Sequence, residues 1–499
     1  MKFSCDRLRP GARPGYLARL RLTLILVAAT LVASCASVDP PVIKAKATAP
    51  AAAPRTTGGV ISTSERKRLI ELFGGEYSAP AAERFLNNIL ARLALASETP
   101  GEPYRVTILN SPIVNAFALP SGDIFVTRGL LALANDASEV AAVMAHEIAH
   151  VTAHHAAERA ELEKTAALFS RVSTDVLARP QEGEQVQAKM RLSIAHFSRE
   201  QEFEADQIGI KVIAKAGYDP YAASRFLGLL GRSTALRASL LGQNASSDKP
   251  DMMSTHPSTP ERVNRAIGEA RQIGAPGLGE TGREAYLAAI DGIAFGDDPS
   301  EGLVRGVRFV HPKLGFAFAA PDGFVLENQS AALIGVGEGG AEAMRLDSVA
   351  ADDAVGLDAM IASGWIDGLK TGSVETLKIN DLPAATAVAQ GDQWSFRLGA
   401  VRLGPKVYRL IYAAHSLTPG IDTRFLASIK SMHRLSEQEI AGARPLRVAV
   451  VAPAAGDTPE SFAQRMAVAD RPLDHFLLLN GLEKNATLDP SLRYKVIVE

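Results

Sequence analysis

The sequence predicts a multidomain chain with three folded parts. A mainly α domain with one small β-sheet spans 62–290. An α+β domain with an antiparallel sheet spans 303–435. A small β-α-α-β module spans 445–499. Three observations predict this. Apolar residues recur at helical spacing from residue 64 to 230, interrupted by one alternating stretch near 113–127. After Asp291-Gly292 the pattern changes to short strand-like runs. The last stretch then reads strand, helix, helix, strand. The chain has 499 residues, 47% of them hydrophobic, enough to give each part a core. Its formal net charge is -2, with no basic block beyond the first few dozen residues. That excludes the clustered Lys and Arg of a nucleic-acid footprint.

The first segment reads as an address. Lys2, Arg7, Arg9, Arg13, Arg19 and Arg21 face only Asp6, and Leu22 to Ser34 is almost wholly apolar. A positive stretch before a short apolar one is the pattern of a secretory signal over 1–34. The apolar run is too short to span a bilayer. It ends in Val32-Ala33-Ser34-Cys35, which resembles the lipobox of bacterial lipoproteins. That resemblance implies a lipidated Cys35, membrane attachment through it, and a place in the cell envelope. Ala36, where sorting to the inner membrane calls for Asp, favours the outer membrane. Residues 35–61 are rich in Ala, Pro and Thr and read as a flexible tether, which holds the body in the periplasm. The two cysteines, Cys5 and Cys35, both lie in this region. The folded body therefore has no disulfide and no thiolate metal site.

Residues 64–97 read as helices, with Phe85, Ile89, Leu90 and Leu93 in one stripe. Alternation around Pro120-Ser121-Gly122-Asp123 predicts a hairpin over 113–127. Asp136 is a good N-cap for a helix over 135–158, and Glu139 completes a capping box. On that helix stands His146-Glu147-Ile148-Ala149-His150. Positions i and i+4 share a face, so both imidazoles reach one metal ion. Glu147, one step around, reaches a water on that ion. A second helix opens at 198–209, where Glu202 and Asp206 share a face. Glu202 suits the third ligand. Asp206 suits a place behind the ligands, accepting a hydrogen bond from a ligand histidine and fixing its tautomer. Spacing leaves Glu200 and Glu204 open as alternatives to Glu202. Helix continues over 207–230 with a break at Gly217-Tyr218-Asp219-Pro220. Residues 236–255 read as a loop near the cleft, and a short helix starts at Pro260-Glu261-Arg262.

H-E-x-x-H followed some fifty residues later by E-x-x-x-D resembles the HtpX and CAAX-prenyl-protease type of gluzincin metallopeptidase. Asn115 to Gly122, Ile124 to Leu131, Ser198 to Glu202, and Ser254-Thr255-His256-Pro257 with Arg262 resemble its periplasmic branch, the beta-barrel assembly-enhancing type. The resemblance covers roughly residues 62–290. It implies one zinc ion per chain on His146, His150 and Glu202, with Glu147 as general base. It implies His256 and Arg262 as donors to the tetrahedral oxyanion. It further implies an endopeptidase that hydrolyses unfolded or misassembled envelope proteins through a zinc-activated water. The hairpin would offer its edge to the extended substrate. Zinc rests on ligand type and family, since spacing alone admits other divalent ions. The sequence departs from the family at His154-His155, where an Arg-His pair is common. His154 is one turn past His150, but the helix has rotated away, so it is not read as a ligand. Two other readings stand beside this one. The first is a latent-protease chaperone or assembly factor for outer-membrane proteins, with His256 or the 236–255 loop closing the metal site. The second is a non-enzymatic peptidoglycan-binding lipoprotein.

In 303–435, Val307–Val310, Gly315–Phe318, Gln393–Arg397 and Val407–Tyr412 are strand-like, and 353–370 and 421–434 are helical. The pattern resembles a PsbP/Mog-like fold and carries no catalytic constellation, which suits a docking or spacer role. No 34-residue period is present, which excludes a tetratricopeptide array. Residues 445–499 resemble a LysM module: strand 447–451, a helix start after Gly456-Asp457-Thr458, a helix ending at Leu477 to Leu482, and strand 494–498. That implies peptidoglycan as a partner. The spacer before Gly456 is long, and Pro490-Ser491 stands where Pro-Gly is usual.

Overall fold

The computed structural model describes residues 63–159, 161, 197–241, 251–329, 331–352 and 354–499, which belong to one compact unit. The predicted leader, the tether with Cys35, and 242–250 of the predicted loop lie outside the described residues. Among the described residues no helix is long and apolar enough to cross a membrane.

Helices α1 (Thr63–Leu72) and α2 (Pro80–Ala96) flank a three-stranded sheet. Its strands are β1 (Arg105–Leu109), β2 (Ala116–Ala118) and β3 (Asp123–Thr127), in the order β1-β3-β2. The predicted hairpin is β2–β3, antiparallel, with β1 added parallel to β3. Every residue of β3 is buried, and β2 forms an edge. Thr127 caps α3 (Arg128–Leu133) by accepting from the Leu130 amide.

Helix α4 (Ala137–Thr152) carries the H-E-x-x-H motif and is buried from Ala137 to His150. Its alanines and aliphatic residues suit a core position, and its buried polar residues must therefore find partners there. Asp136 is its N-cap as predicted, accepting from the Glu139 amide. The reciprocal bond is different: Glu139 Oε2 accepts from the Asn135 amide at 2.8 Å, one residue upstream of a capping box. The helix breaks after Thr152, where His154 takes a left-handed φ of 59°, and helix resumes over 155–159, so the predicted 135–158 is two pieces.

Next come α5 (Arg199–Lys215) and α6 (Ala222–Leu241). Ser198 and Gln201 form a complete capping box on α5. Its buried face, Glu202, Ala205, Asp206, Gly209, Ile210, Val212 and Ile213, follows helical periodicity. Helix α6 runs to Leu241, so 236–241 is helical where the sequence suggests a loop. Helices α7 (Met252–Thr255), α8 (Pro260–Ile273) and α9 (Arg283–Ile290) complete this part. Thr259 caps α8, with Pro260 in its first turn where no amide is needed.

A short strand β4 (Ala294–Phe295) leads into the middle region. There β5 (Leu303–Arg305), β6 (Arg308–His311) and β7 (Phe316–Ala319) join one four-stranded sheet. Strands β8 (Val325–Asn328), β9 (Leu333–Val336) and β10 (Glu342–Ala350) join a seven-stranded sheet, followed by helix α10 (Leu357–Ala362). The sheet is completed by β11 (Glu375–Ile379), β12 (Leu382–Gln390), β13 (Ser395–Leu403) and β14 (Lys406–Ala414). Its order is β11-β12-β13-β14-β10-β9-β8, and every pairing is antiparallel, as predicted. Helix α11 (Pro419–Lys430) and β15 (His433–Arg434), which closes the smaller sheet, follow, then α12 (Glu437–Gly442). The sequence predicts helix over 353–370; only 357–362 is α-helical. Strand β12 reads LPAATAVAQ, with four alanines and only Thr386 and Val388 β-branched, a weak strand signal. Its alanines are small because Ala385, Ala387 and Ala389 pack in one cluster with Leu357 and Ile361 of α10.

The C-terminal segment has the predicted order: β16 (Leu446–Val451), α13 (Pro459–Gln464), α14 (Pro472–Leu479) and β17 (Tyr494–Val498). It does not stand apart from the first domain. Strand β4 pairs with β16, giving the order β17-β16-β4. Val448, Phe462, Phe476, Tyr494 and Ile497 share one core with Leu131, Val140 and Tyr286. Lys495 on β17 is fully buried, and its ammonium donates to the carbonyls of Ala132 (2.8 Å), Leu133 (3.2 Å) and Ala134 at the end of α3. Cations are favoured at a helix C-terminus. Burial pushes this ammonium below its ordinary range, and Glu139 opposes the shift. Lys495→Met leaves those carbonyls without their donor in a dry interior. We expect a loss of about 3 kcal/mol in urea denaturation of the whole chain. A change within 0.5 kcal/mol, the scale of an ordinary surface substitution, would show that the buried ammonium adds nothing net.

Candidate metal centre

Gly209 sets how close the two motif helices come. A β-carbon there would lie 3.2 Å from the His146 backbone nitrogen. The absence of a side chain lets α5 lie against the backbone of α4, bringing Glu202 and Asp206 to the histidines. Glycine in a helix interior costs about 0.5–1 kcal/mol, which close packing offsets here.

His146, Glu147, His150, Glu202 and His256 are all buried. His146 Nε2 lies 3.0 Å from His150 Nε2 and 3.5 Å from Glu202 Oε2, and His150 Nε2 lies 3.6 Å from Glu202 Oε1. His256 Nδ1 lies 3.2 Å from His146 Nε2 and 2.9 Å from Glu202 Oε1. Bonds of about 2.0–2.1 Å to a tetrahedral zinc put ligand atoms about 3.3 Å apart. The separations match that edge length, so the four residues fit one metal ion. Glu200 and Glu204, which spacing leaves open, are exposed, while Glu202 turns inward.

The carboxylates and imidazoles tune one another. Burial works against charge on His146, but Asp206 and Glu202 outweigh it and raise its pKa to about 10. Burial, with His146 and His256 beside it, pushes His150 far below its usual value, towards the neutral form a metal ligand needs. Burial opposes ionisation of Glu202 too, yet His256 and His146 hold it well below the carboxylate range. Asp206 Oδ1 lies 3.0 Å from His146 Nδ1, the place expected for a residue behind the ligands.

Glu147 is in the dry interior with its Oε1 lacking a hydrogen-bond partner among the described residues. Burial raises its pKa, and His256 and His146 partly offset this. The Ala118 backbone on edge strand β2 also bonds this carboxylate. His256 Nε2 lies 3.7 Å from Glu147 Oε1.

Two placements differ from the predicted oxyanion role. Arg262 donates to both oxygens of Asp206, at 2.8 and 2.7 Å, and to the Pro257 carbonyl at 3.0 Å. Its Nη1 lies 2.6 Å from Glu202 Oε2. That guanidinium is occupied by two carboxylates and supports the centre from behind. His256 presents Nδ1 within the ligand cluster, where a fourth ligand atom would stand. Of the two roles the sequence offers His256, oxyanion donor or closure of the metal site, this position on the turn after α7 fits the second. Two further contacts had no sequence signal. Phe197 stacks on His150 with ring centroids 3.9 Å apart, and His155 Nδ1 lies 2.8 Å from His150 Nδ1.

Residues 80–270 match the sequence model of peptidase family M48. Over these residues the chain is similar to the M48 peptidases. The beta-barrel assembly-enhancing protease of Escherichia coli (strain K12) is 30% identical over 219 residues, covering 42% of this chain and 43% of that protein. The mitochondrial metalloendopeptidase OMA1 of Arabidopsis thaliana is 34% identical over 203 residues, 39% of this chain and 38% of that protein. The chain thus matches less than half the length of either relative. A solution structure of PsbP from Synechocystis is 11% identical, covering 26% of this chain and 91% of that one at a TM-score of 0.21, too low to bear on the fold. The M48 match begins within α2 and ends in α8, so it encloses every residue of the metal cluster.

Arg262→Gln tests the placement of that guanidinium. Removing one partner of a buried ion pair costs about 3–5 kcal/mol. Urea denaturation should show a loss of that order. A free oxyanion donor would leave stability unchanged and lower only activity.

Proposed function

We propose that the chain is a zinc-dependent endopeptidase acting on unfolded or misassembled envelope proteins, serving quality control at the outer membrane. The observation that carries the reading is the set of four buried donor residues whose ligand atoms lie within 4.8 Å of one another, with Glu147 beside His146 on the same helix. The M48 match and the metalloendopeptidase relatives support the activity. The name of the first relative supports the envelope role, as does the lipoprotein-like leader.

His146, His150 and Glu202 would hold the ion. A divalent ion there supplies a Lewis acid and makes water acidic enough to attack a carbonyl near neutral pH. Glu147 takes the proton from the attacking water at its unbonded Oε1 and returns it to the leaving amine. Asp206, held by Arg262, keeps His146 oriented. Edge strand β2 offers main-chain groups to an extended substrate, a mode indifferent to side-chain sequence and suited to unfolded chains.

The position of His256 favours a second state of the same protein. Catalytic zinc sites keep one position open, and four protein ligands close it. With His256 in place the enzyme is latent, and its activity begins when that ring withdraws. The chain could then act as a chaperone or assembly factor while closed.

Residues 36–499 should bind one zinc per chain and cleave casein, with cleavage abolished by a chelator. Glu147→Gln should keep the metal and lose about 10²–10⁴-fold in rate. Full activity in that variant would exclude Glu147 as the base. His256→Ala should raise basal cleavage; a fall would return His256 to the oxyanion role. The same reading attaches the chain to the membrane through lipidated Cys35 and lets 445–499 contact peptidoglycan. Cys35→Ser should move the protein from the membrane to the soluble periplasmic fraction, and the purified protein should pellet with sacculi. Unchanged fractionation, or no pelleting, would remove the corresponding anchor.

A further inference from the structure

We infer that His155 is a positioning residue for the metal centre, which with Glu204 behind it fixes the ring nitrogen of His150 that carries the proton. This rests on the reading of His150 as a ligand.

The chain geometry is built to deliver His155. After α4 ends at Thr152, His154 adopts a left-handed φ of 59°. Residues with a β-carbon seldom take that conformation. The His154 amide donates to the Val151 carbonyl, and its own carbonyl accepts from Ala157 and Glu158. The break leaves His154 exposed and places His155 at the start of the resumed helix, where it is 1% exposed. His155 Nδ1 then lies 2.8 Å from His150 Nδ1, with the rings at 70°. On its far side His155 Nε2 lies 3.5 Å from Glu204 Oε2, on the same helix as Glu202.

The protons follow from this order. An ionised carboxylate only accepts, so Glu204 favours a proton on His155 Nε2. A neutral His155 then has Nδ1 free as an acceptor. The 2.8 Å contact needs one donor, which must be His150 Nδ1–H. That leaves His150 Nε2 with its lone pair facing His146 and Glu202. The opposite arrangement puts the proton on Nε2 and blocks it as a ligand. Phe197, stacked on His150, fixes the plane of the ring. Stacking cannot choose between the two nitrogens; a hydrogen bond can. Partners of this kind typically change metal affinity by roughly 10–100-fold.

The test is zinc affinity of residues 36–499, which hold every described residue, by chelator competition, with circular dichroism to show folding. His155→Ala should bind zinc roughly 10–100-fold more weakly. His155→Asn should restore most of the loss, because Asn Oδ1 stands as many bonds from Cα as the missing Nδ1 and accepts in its place. Wild-type affinity in the alanine variant overturns the proposal. So does equal weakening in both variants, which would mean that only bulk matters. Two surface variants keep the test open if the alanine variant does not fold. Glu204→Lys puts a donor against His155 Nε2 and should weaken zinc several-fold more than Glu200→Lys, which makes the same charge change on an exposed neighbour. Equal shifts in these two overturn the role of Glu204. A wild-type protein that holds no zinc overturns the metal reading itself, and is thereby distinguished from failure of this proposal alone.

Discussion

The contact of Gly209 with the backbone of His146 is the constraint on which the rest of the structure depends. Two imidazoles on one helix cannot complete a metal site, and the third ligand must come from elsewhere in the chain. Side chains are short, so the second helix has to touch the first. Alanines at 141, 142, 145 and 149 thin one helix, and Gly209 removes the obstructing β-carbon on the other. The three-stranded sheet and α2 close the remaining sides of α4 and exclude water from the charged groups.

That exclusion creates an electrostatic problem. Each buried ion costs several kcal/mol unless it is paired. Glu202 and Asp206 are buried within one turn of each other; burial opposes their ionisation, but the neighbouring His146, with His256 beside Glu202 and Arg262 beside Asp206, holds both below the usual carboxylate range. Arg262 answers this by reaching both carboxylates from α8. His146 bridges them from the opposite side. A cation bound among the ligands adds to the same balance, and Arg262 holds the carboxylates in place to receive it.

Support for the centre also comes from far along the chain. The segment after residue 445 contributes a strand pair, a share of the main core and the buried Lys495. Its ammonium sits on the carbonyls just before Asn135 and the cap of α4. This ties the start of the metal-binding helix to the last strand of the protein. A segment that reads as a separate module by its order of elements is therefore also part of the peptidase body.

The sequence by itself determined the elements and the chemistry they carry. The i, i+4 histidines, the Asp136 cap and the acidic pair at 202 and 206 are local patterns, and local patterns survive in a one-dimensional reading. It also determined that the middle region is antiparallel, because alternation marks β6, β7, β13 and β14. Alanine-rich β12 escaped, since its composition answers to α10 packed above it and not to strand propensity. Only the tertiary structure decided which of Glu200, Glu202 and Glu204 turns inward, since that depends on the rotation of α5 against α4. Only it decided that Arg262 serves carboxylates, that His256 stands among the ligands, and that His155 meets His150. Those contacts join residues brought together by packing or by a left-handed turn, and no periodicity in the chain encodes their distances.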